Sequence, residues 1–429
     1  MTFDDEKKVG DFVELIRGTT YQGALVGKPG PALLGLGSIV PGGGFRGKDF
    51  KTYGGECPEK LMLRPGDLFV SLKGATKAGD MIGSIARVPP EVQSGRLTQD
   101  TVKLVFRTEA EPFRSYLYWL LRTPHYRDYC AGRATGSAVV ALSRDDFLSY
   151  PVPPLNPLGV EIISALDQID EKIELNRKMN ATLEAMARAL FRDWFVDLGP
   201  TRAKMEGREP YLSPDLWSLF PDRLDAEGKP EGWDEKPLDE IADFLNGLAL
   251  QKYPGEGEAN NLPVIKIAEL RNGITSNSNR ASRRVPPQYV VQDGDFLFSW
   301  SGSLLAKFWT GGEGALNQHL FKVTSDRYPA WFFSEWVQHH LEEFQVIAAS
   351  KATTMGHIQR GHLKAAKTIC PSDRVIARLG EAVAPLIDRI VDNELESRTL
   401  AQTRDLLLPR LMSGELRLAD LDSQKAEQA

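Results

Sequence analysis

Gly42-Gly43-Gly44-Phe45-Arg46-Gly47-Lys48 has the G-x-x-x-x-G-K spacing of a loop that wraps its backbone N–H groups around phosphates. A strand-like run precedes it. Asp49 stands where a hydroxyl residue should hold magnesium, and KDFKTYGGECP is a poor helix, so the stretch reads better as a flexible loop. Pro221-Asp222 with Glu227-Gly228-Lys229 imitates the acid and lysine set of a metal-dependent nuclease, but at very short spacing and inside a polar stretch. His357 and His362, and the pair His339-His340, have no cysteine or acid completing a metal set, and His339 reads as a helix-surface residue. The run Val285–Tyr289 (VPPQY) lacks the leading Asn or Asp of an amino-methyltransferase motif. Gly35-Leu36-Gly37 has Val40 where a dinucleotide fingerprint needs its third glycine. No catalytic residue, metal ligand or cofactor-binding residue is assigned to this chain.

The elements around these residues carry the stronger signal. Asn156-Pro157 supplies a side-chain cap and then a proline where a missing N–H costs nothing. A 4-3-4-3 spacing follows: Ile162, Leu166, Ile169, Ile173, Asn176, Asn180, Leu183, Ala187, Leu190, Trp194. That is the a/d seam of a coiled coil, and Gly199-Pro200 is expected to stop it. The register returns 217 positions later as Leu379, Val383, Leu386, Ile390, Asn393, Ser397, Leu400, Arg404, Leu407, Leu411, opened by Ser372-Asp373 and closed by Gly414. A constant offset over such a length is a duplication. Paired antiparallel, two such helices make a rod of about 60 Å at 1.5 Å per residue, related by a pseudo-two-fold axis. Asn176 would then face Ser397, and Asn180 would face Asn393. Such a buried polar layer costs stability and fixes register, unless these residues merely face solvent.

The flanking regions are also doubled. Strands are expected at Pro31–Val40, Asp67–Leu72, Ile82–Val88 and Thr101–Phe106, with an amphipathic helix at Arg114–Arg122. Gly66–Gly74 (GDLFVSLKG) matches Gly294–Gly302 (GDFLFSWSG) at an offset of 228, and Trp331–Leu341 stands where the first helix stood. The expected fold is α+β: two globular α/β domains separated by two long helices forming an antiparallel coiled coil. The boundaries are 1–155, helical spacer 156–200, second domain 201–372 with a polar linker at 201–231, helical spacer 373–416 and a disordered tail 417–429.

The chain has 429 residues and a net charge of −6, but the charge is unevenly spread. Leu270–Gln292 holds Arg271, Arg280, Arg283 and Arg284 and no acid; Phe344–Ser372 holds Lys351, Arg360, Lys364 and Lys367 and no acid. Between Pro112 and Ser143, Arg114, Arg122, Arg127 and Arg133 meet only Asp128. A basic face on an acidic chain is therefore allowed. The seam helices are acidic and suit protein partners better than phosphates. Three scattered cysteines, no membrane-length apolar run and a charged N-terminus point to a cytoplasmic protein away from membranes.

Three stretches resemble one family, the DNA-specificity subunit of type I restriction-modification enzymes. Leu190–Asp197 (LFRDWFVD) resembles the end of its central helical region, and Arg404–Leu416 (RDLLLPRLMSGEL) the end of its C-terminal one. Pro230–Trp233 (PEGW), with Leu238–Ile241 and Val264–Ile267, resembles the entry to its second target-recognition domain. The resemblance implies two target-recognition domains reading a bipartite, asymmetric sequence in double-stranded DNA, with the helices setting the spacer. It implies docking of two methyltransferase subunits, which methylate adenine N6 from S-adenosylmethionine, and of restriction/translocase subunits that use ATP and Mg. Those cofactors would sit on the partners, none on this chain.

Phosphate contact needs Lys, Arg and hydroxyls, and base reading needs forked side chains. The candidates in the first domain are Arg46, Lys48, Lys73, Lys77, Arg133, Thr135 and Ser137. In the second they are Lys266, Arg271, Trp300, Lys351, Thr353, His357, Gln359 and Arg360. Two other classes stay open: a nuclease or NTPase using Gly42–Lys48, and a bivalent protein-binding adaptor. Loss of an ATPase on Lys48→Ala would mark the former; the absence of any salt-dependent affinity for duplex DNA would mark the latter.

Overall fold

The computed structural model describes residues 7–47, 50–74, 79–108, 111–136, 140–257, 261–350 and 356–409. The expected tail and the seam position Leu411 lie outside the described residues. The chain divides into two compact units, Met1–Glu171 with Leu400–Ala429, and Lys172–Thr399. Both predicted spacers are helices of 35 residues, Pro157–Phe191 and Asp373–Leu407. The division passes through both, so each helix lends one part to each unit and neither is a domain of its own.

In the first unit, strands β1 (Val13–Arg17), β7 (Thr101–Phe106), β4 (Leu68–Ser71) and β5 (Ile85–Arg87) form an antiparallel sheet in that order. A smaller sheet sets β6 (Gly95–Leu97) parallel to β2 (Ala32–Leu34) and antiparallel to β3 (Met62–Leu63). The long run expected at Pro31–Val40 keeps only β2 as strand, because Gly35 breaks it into a tight turn at Leu36–Ser38. Helix Phe113–Leu120 buries Tyr116, Leu117, Trp119 and Leu120 on the sheet.

The second unit repeats this plan. Strands β9 (Asp243–Asn246), β16 (Leu320–Thr324), β13 (Phe296–Ser299) and β14 (Ala306–Phe308) form the antiparallel sheet in the same topological order. Strand β15 (Gly314–Leu316) runs parallel to β10 (Asn261–Ile265) and antiparallel to β12 (Val290–Val291), with β11 (Arg280–Ser282) added at the edge. Strands β8 (Asp234–Pro237) and β17 (Lys367–Cys370) pair, where the described residues of the first unit show a Lys8–Pro151 bridge. The likeness reaches single contacts. Lys103 Nζ lies 2.6 Å from Asp67 Oδ2, and Lys322 Nζ lies 2.6 Å from Asp295 Oδ2. Each aspartate also caps its turn, accepting from Arg64 N at 2.8 Å or Gln292 N at 2.7 Å. The turns pivot on Gly66 and Gly294, with φ of 84° and 90°, where a β-carbon would be strained.

The first long helix starts as its sequence indicates, with Asn156 Oδ1 accepting from Gly159 N at 2.7 Å. Its end differs. It passes into a π-helical turn, Arg192–Val196, and breaks at Leu198 with φ of 55°. Gly199-Pro200 does not stop it but opens the next helix, Gly199–Met205, where proline has no N–H to satisfy. The second long helix continues through Pro385, an exposed position. The linker expected at 201–231 is mostly exposed but anchored. Phe220 is buried against Trp194 and Trp233, and Lys204 Nζ donates to Phe220 O at 2.6 Å. A few buried residues, Thr201, Ala203 and Phe220 among them, hold it to the core.

No described seam residue is exposed. In the second unit Asn176 Nδ2 lies 3.2 Å from Ser397 Oγ and 3.3 Å from Asn393 O. Asn180 Nδ2 donates to Ile390 O at 3.1 Å, and Asn393 Nδ2 to Asn180 Oδ1 at 2.8 Å. Partners fall in number as the first helix rises, so these segments run antiparallel. In the first unit Asp170 meets both Arg404 at 3.2 Å and the buried Arg122 at 3.0 Å, which accounts for an arginine at a seam position.

Asn176 Oδ1 and Asn393 Oδ1 are buried without a hydrogen-bond partner, so the polar layer is only partly satisfied. Two outcomes follow. Asn393→Ala, which strands Asn180 Oδ1, should cost about 1–3 kcal/mol in denaturant unfolding. The double substitution Asn180→Leu with Asn393→Leu should instead raise the melting temperature. Glu335, on helix Ala330–Ser350, is pushed up to about 7 by burial, with Arg188 opposing and Glu184 adding to the shift. Its folded form holds a proton that the unfolded chain releases near pH 4.3. Stability should therefore fall as pH rises from about 4.3 to 7 and then level off. Glu335→Gln should flatten that fall in a pH series of thermal melts.

Candidate nucleic-acid interface

The matched strand ends place the candidate residues. After β4, Leu72 O accepts from Leu142 N at 2.9 Å and Gly74 N donates to Val140 O at 2.7 Å. After β13, Trp300 O accepts from Ile358 N at 3.0 Å and Gly302 N donates to Gly356 O at 2.8 Å. Each unit thus zips the loop after its central strand to a second loop arriving from the far side of a helix. In the first unit this brings Lys73 and Thr135 together, since both bridge to Ala141. Lys73 Nζ is held 3.0 Å from Asp100 Oδ1 and stays partly exposed. Arg133 stacks 3.8 Å from the centre of the Tyr129 ring. Arg46 is exposed beyond the Ile39–Phe45 bridge. Lys48, Lys77 and Ser137 lie outside the described residues.

In the second unit Ser301 bridges to His357, and the Trp300 ring lies 6.3 Å from His357 and 5.8 Å from His319. Trp300 Nε1 donates to Asn246 Oδ1 at 2.8 Å, which fixes the indole plane. Arg271 lines a shallow cavity of about 360 Å³ with Gly302, Ser303, Gln345 and Gly356. Arg360 is exposed and reaches Phe244 O at 3.2 Å, while Gln359 caps the helix Arg360–Ala365. Lys266 is tied to Asn279 Oδ1, in the turn before β11. Lys351 and Thr353 lie outside the described residues.

Part of the basic charge is structural. Arg122 is buried on Asp170 and Tyr118, and Arg127 clamps the 80–84 loop through Asp80 O at 2.6 Å and Ser84 Oγ at 3.2 Å. Arg283 and Arg284 pair with Glu313 at 2.6 Å and Glu256 at 3.2 Å. The glycine loop makes no phosphate cradle over its described part. Gly42 N donates to Ser84 Oγ, Gly43 N to Val40 O and Gly44 N to Ile85 O, so these amides are already used. Glu227 and Lys229 close a turn with Asp225, with Glu227 Oε2 2.7 Å from Lys229 Nζ, and Asp222 pairs with Lys204 at 3.0 Å. Among the described residues no group of three His, Cys, Asp or Glu could hold a metal, and no helix is long and apolar enough to cross a membrane.

The sequence reading missed one pair of turns. Leu97-Thr98-Gln99-Asp100 enters β7, and Leu316-Asn317-Gln318-His319 enters β16, at an offset of 219. Comparing the two halves at drifting offsets would have found them.

The fold is that of a doubled α+β protein. It matches the crystal structure of a type I restriction-modification system S subunit from M. genitalium, with a TM-score of 0.54 and 14% identity over 96% of this chain and 98% of that one. No family model matches the chain. Its curated homologues are type I restriction enzyme specificity subunits. It is 25% identical to the MjaIX specificity subunit of Methanocaldococcus jannaschii over 71% of this chain and 70% of that protein. It is 24% identical to the HindI specificity subunit of Haemophilus influenzae over 60% of this chain and 66% of that protein.

Arg271→Ala and Arg360→Ala should each weaken binding to duplex DNA whatever its sequence. Each should also reduce the slope of log K against log salt by about 1, measured by titration at several salt concentrations.

Proposed function

We propose that this chain is the DNA-recognition subunit of a type I restriction-modification enzyme. Each unit reads one half of a bipartite target in double-stranded DNA, and the paired helices set the unread spacer between the halves. The observation that carries this reading is a repeated frame with unlike side chains. The same strand order and loop zippers recur in both units, while Leu72-Lys73 in one becomes Trp300-Ser301 in the other. Equivalent frames present equivalent edges to a duplex, and different side chains on them select different half-sites.

The chain acts without chemistry of its own. Methyltransferase subunits docked on it flip and methylate an adenine at N6 in each half, using S-adenosylmethionine, and restriction subunits using ATP and Mg join them. The acidic helices, with outward-facing Leu175, Met186 and Leu406, offer protein-binding rather than phosphate-binding surfaces. The bonded amides of Gly42–Gly44 remove support for an NTPase reading.

Mapping methylated adenines in a host genome with and without the chain tests the proposal. N6-methyladenine should appear at one interrupted sequence only when the chain is present. The same methylated sequence in its absence would overturn the assignment.

A further inference from the structure

The turns Thr98–Thr101 and Asn317–Leu320 are built alike. Thr98 N donates to Leu34 O at 3.0 Å and Thr101 N to Thr98 O at 3.2 Å; Asn317 N donates to Ile265 O at 3.1 Å and Leu320 N to Asn317 O at 3.0 Å. A glycine backs each turn. A β-carbon on Gly18 would lie 1.8 Å from Thr98 O, and one on Gly247 2.3 Å from Asn317 O. Both turns therefore sit at a fixed height against the first strand of their sheet. Each carries a glutamine at its tip, the exposed Gln99 and the half-buried Gln318. The next residue reaches the loop after the central strand. Asp100 holds Lys73 at 3.0 Å; at the same two places His319 Nδ1 meets Ser301 Oγ at 2.9 Å. So the frame and the glutamine are shared, and the pair beside it changes from ionic to neutral.

A glutamine amide offers a donor and an acceptor side by side, which matches N7 and N6 of adenine in the major groove. A lysine ammonium has donors only and matches O6 and N7 of guanine. Ser301 is buried and acts through His319, a positioning residue whose Nε2 lies 3.4 Å from Gln318 Nε2. We propose that the two turns are base-reading edges. Gln99 and Gln318 each read an adenine in their own half of the target. Lys73 adds a guanine contact beside Gln99 that the second half, with Ser301–His319 in its place, does not make. This rests on the DNA-recognition reading above and assigns it to particular side chains.

The test is selection of bound duplexes from a randomised bipartite library by the full chain assembled with its methyltransferase subunits. Gln99→Ala should lower preference for one adenine about tenfold or more and leave the other half unchanged, with Gln318→Ala giving the mirror result. Gln99→Glu keeps the side-chain size and presents acceptors only, so that position should turn from adenine toward cytosine, an outcome that misfolding cannot produce. Lys73→Ser with Asp100→His should abolish the neighbouring guanine preference. Unchanged preferences in the glutamine variants, or equal shifts in both halves, would overturn the assignment. A wild-type assembly that enriches no sequence would overturn the DNA-recognition reading itself.

Discussion

Two helices of 35 residues with a single apolar stripe cannot stand alone in water; the stripe must be covered. How it is covered governs the rest of the chain. In the first unit Ile162, Ile163 and Leu166 join one core with Leu408. In the second, Ala187 and Phe191 join another with Leu379, Val383, Ile387 and Ile390. Each globular core is thus completed by parts of both helices. Leu407, at the end of the second long helix, and Leu408 just past it pack into the first unit, so a boundary drawn at either end of a helix does not coincide with the division into compact units.

The seam was legible because burial on a helix leaves a periodic trace, and the pairing of Asn176 with Ser397 and of Asn180 with Asn393 follows from the register alone. Strands such as Thr101–Phe106 were legible for a similar reason. Other features leave no such trace. The segment after Met205 looks like a linker because most of it is exposed, and its anchor at Phe220 is a single residue. The Gly42–Lys48 spacing alone matches a phosphate loop, and Asp49 and the poor helix after it argue against one; the amides of Gly42, Gly43 and Gly44 are bonded to Ser84 Oγ, Val40 O and Ile85 O. Arg122 and Arg127 looked like surface charge, yet one is buried on Asp170 and the other clamps a loop. The turns bearing Gln99 and Gln318 escaped notice because they carry little charge and emerge only when the halves are compared at a drifting offset.

That drift is informative about function. Between the two units the offset moves from 228 at the central strand to 219 at the turn before the next strand, and to 217 in the long helices. Length changes therefore fall in loops, while the contacts that define the frame, such as Asp67–Lys103 and Asp295–Lys322, persist. A frame of this kind lets loop side chains diverge independently in its two copies without disturbing the cores behind them.

The wide turn at Arg192–Val196 is a different kind of accommodation. Its closing bond runs from Asp197 N to Arg192 O at 2.8 Å, five residues apart. Such a turn stores one surplus residue inside a helix without a bulging loop. Trp194 and Phe195 lie within it, each about 1% exposed. Removing one residue would restore ordinary winding and turn the chain beyond it by about 100° against the helix before it. The irregularity thus sets the angular phase between the seam and the aromatic plug that closes the core.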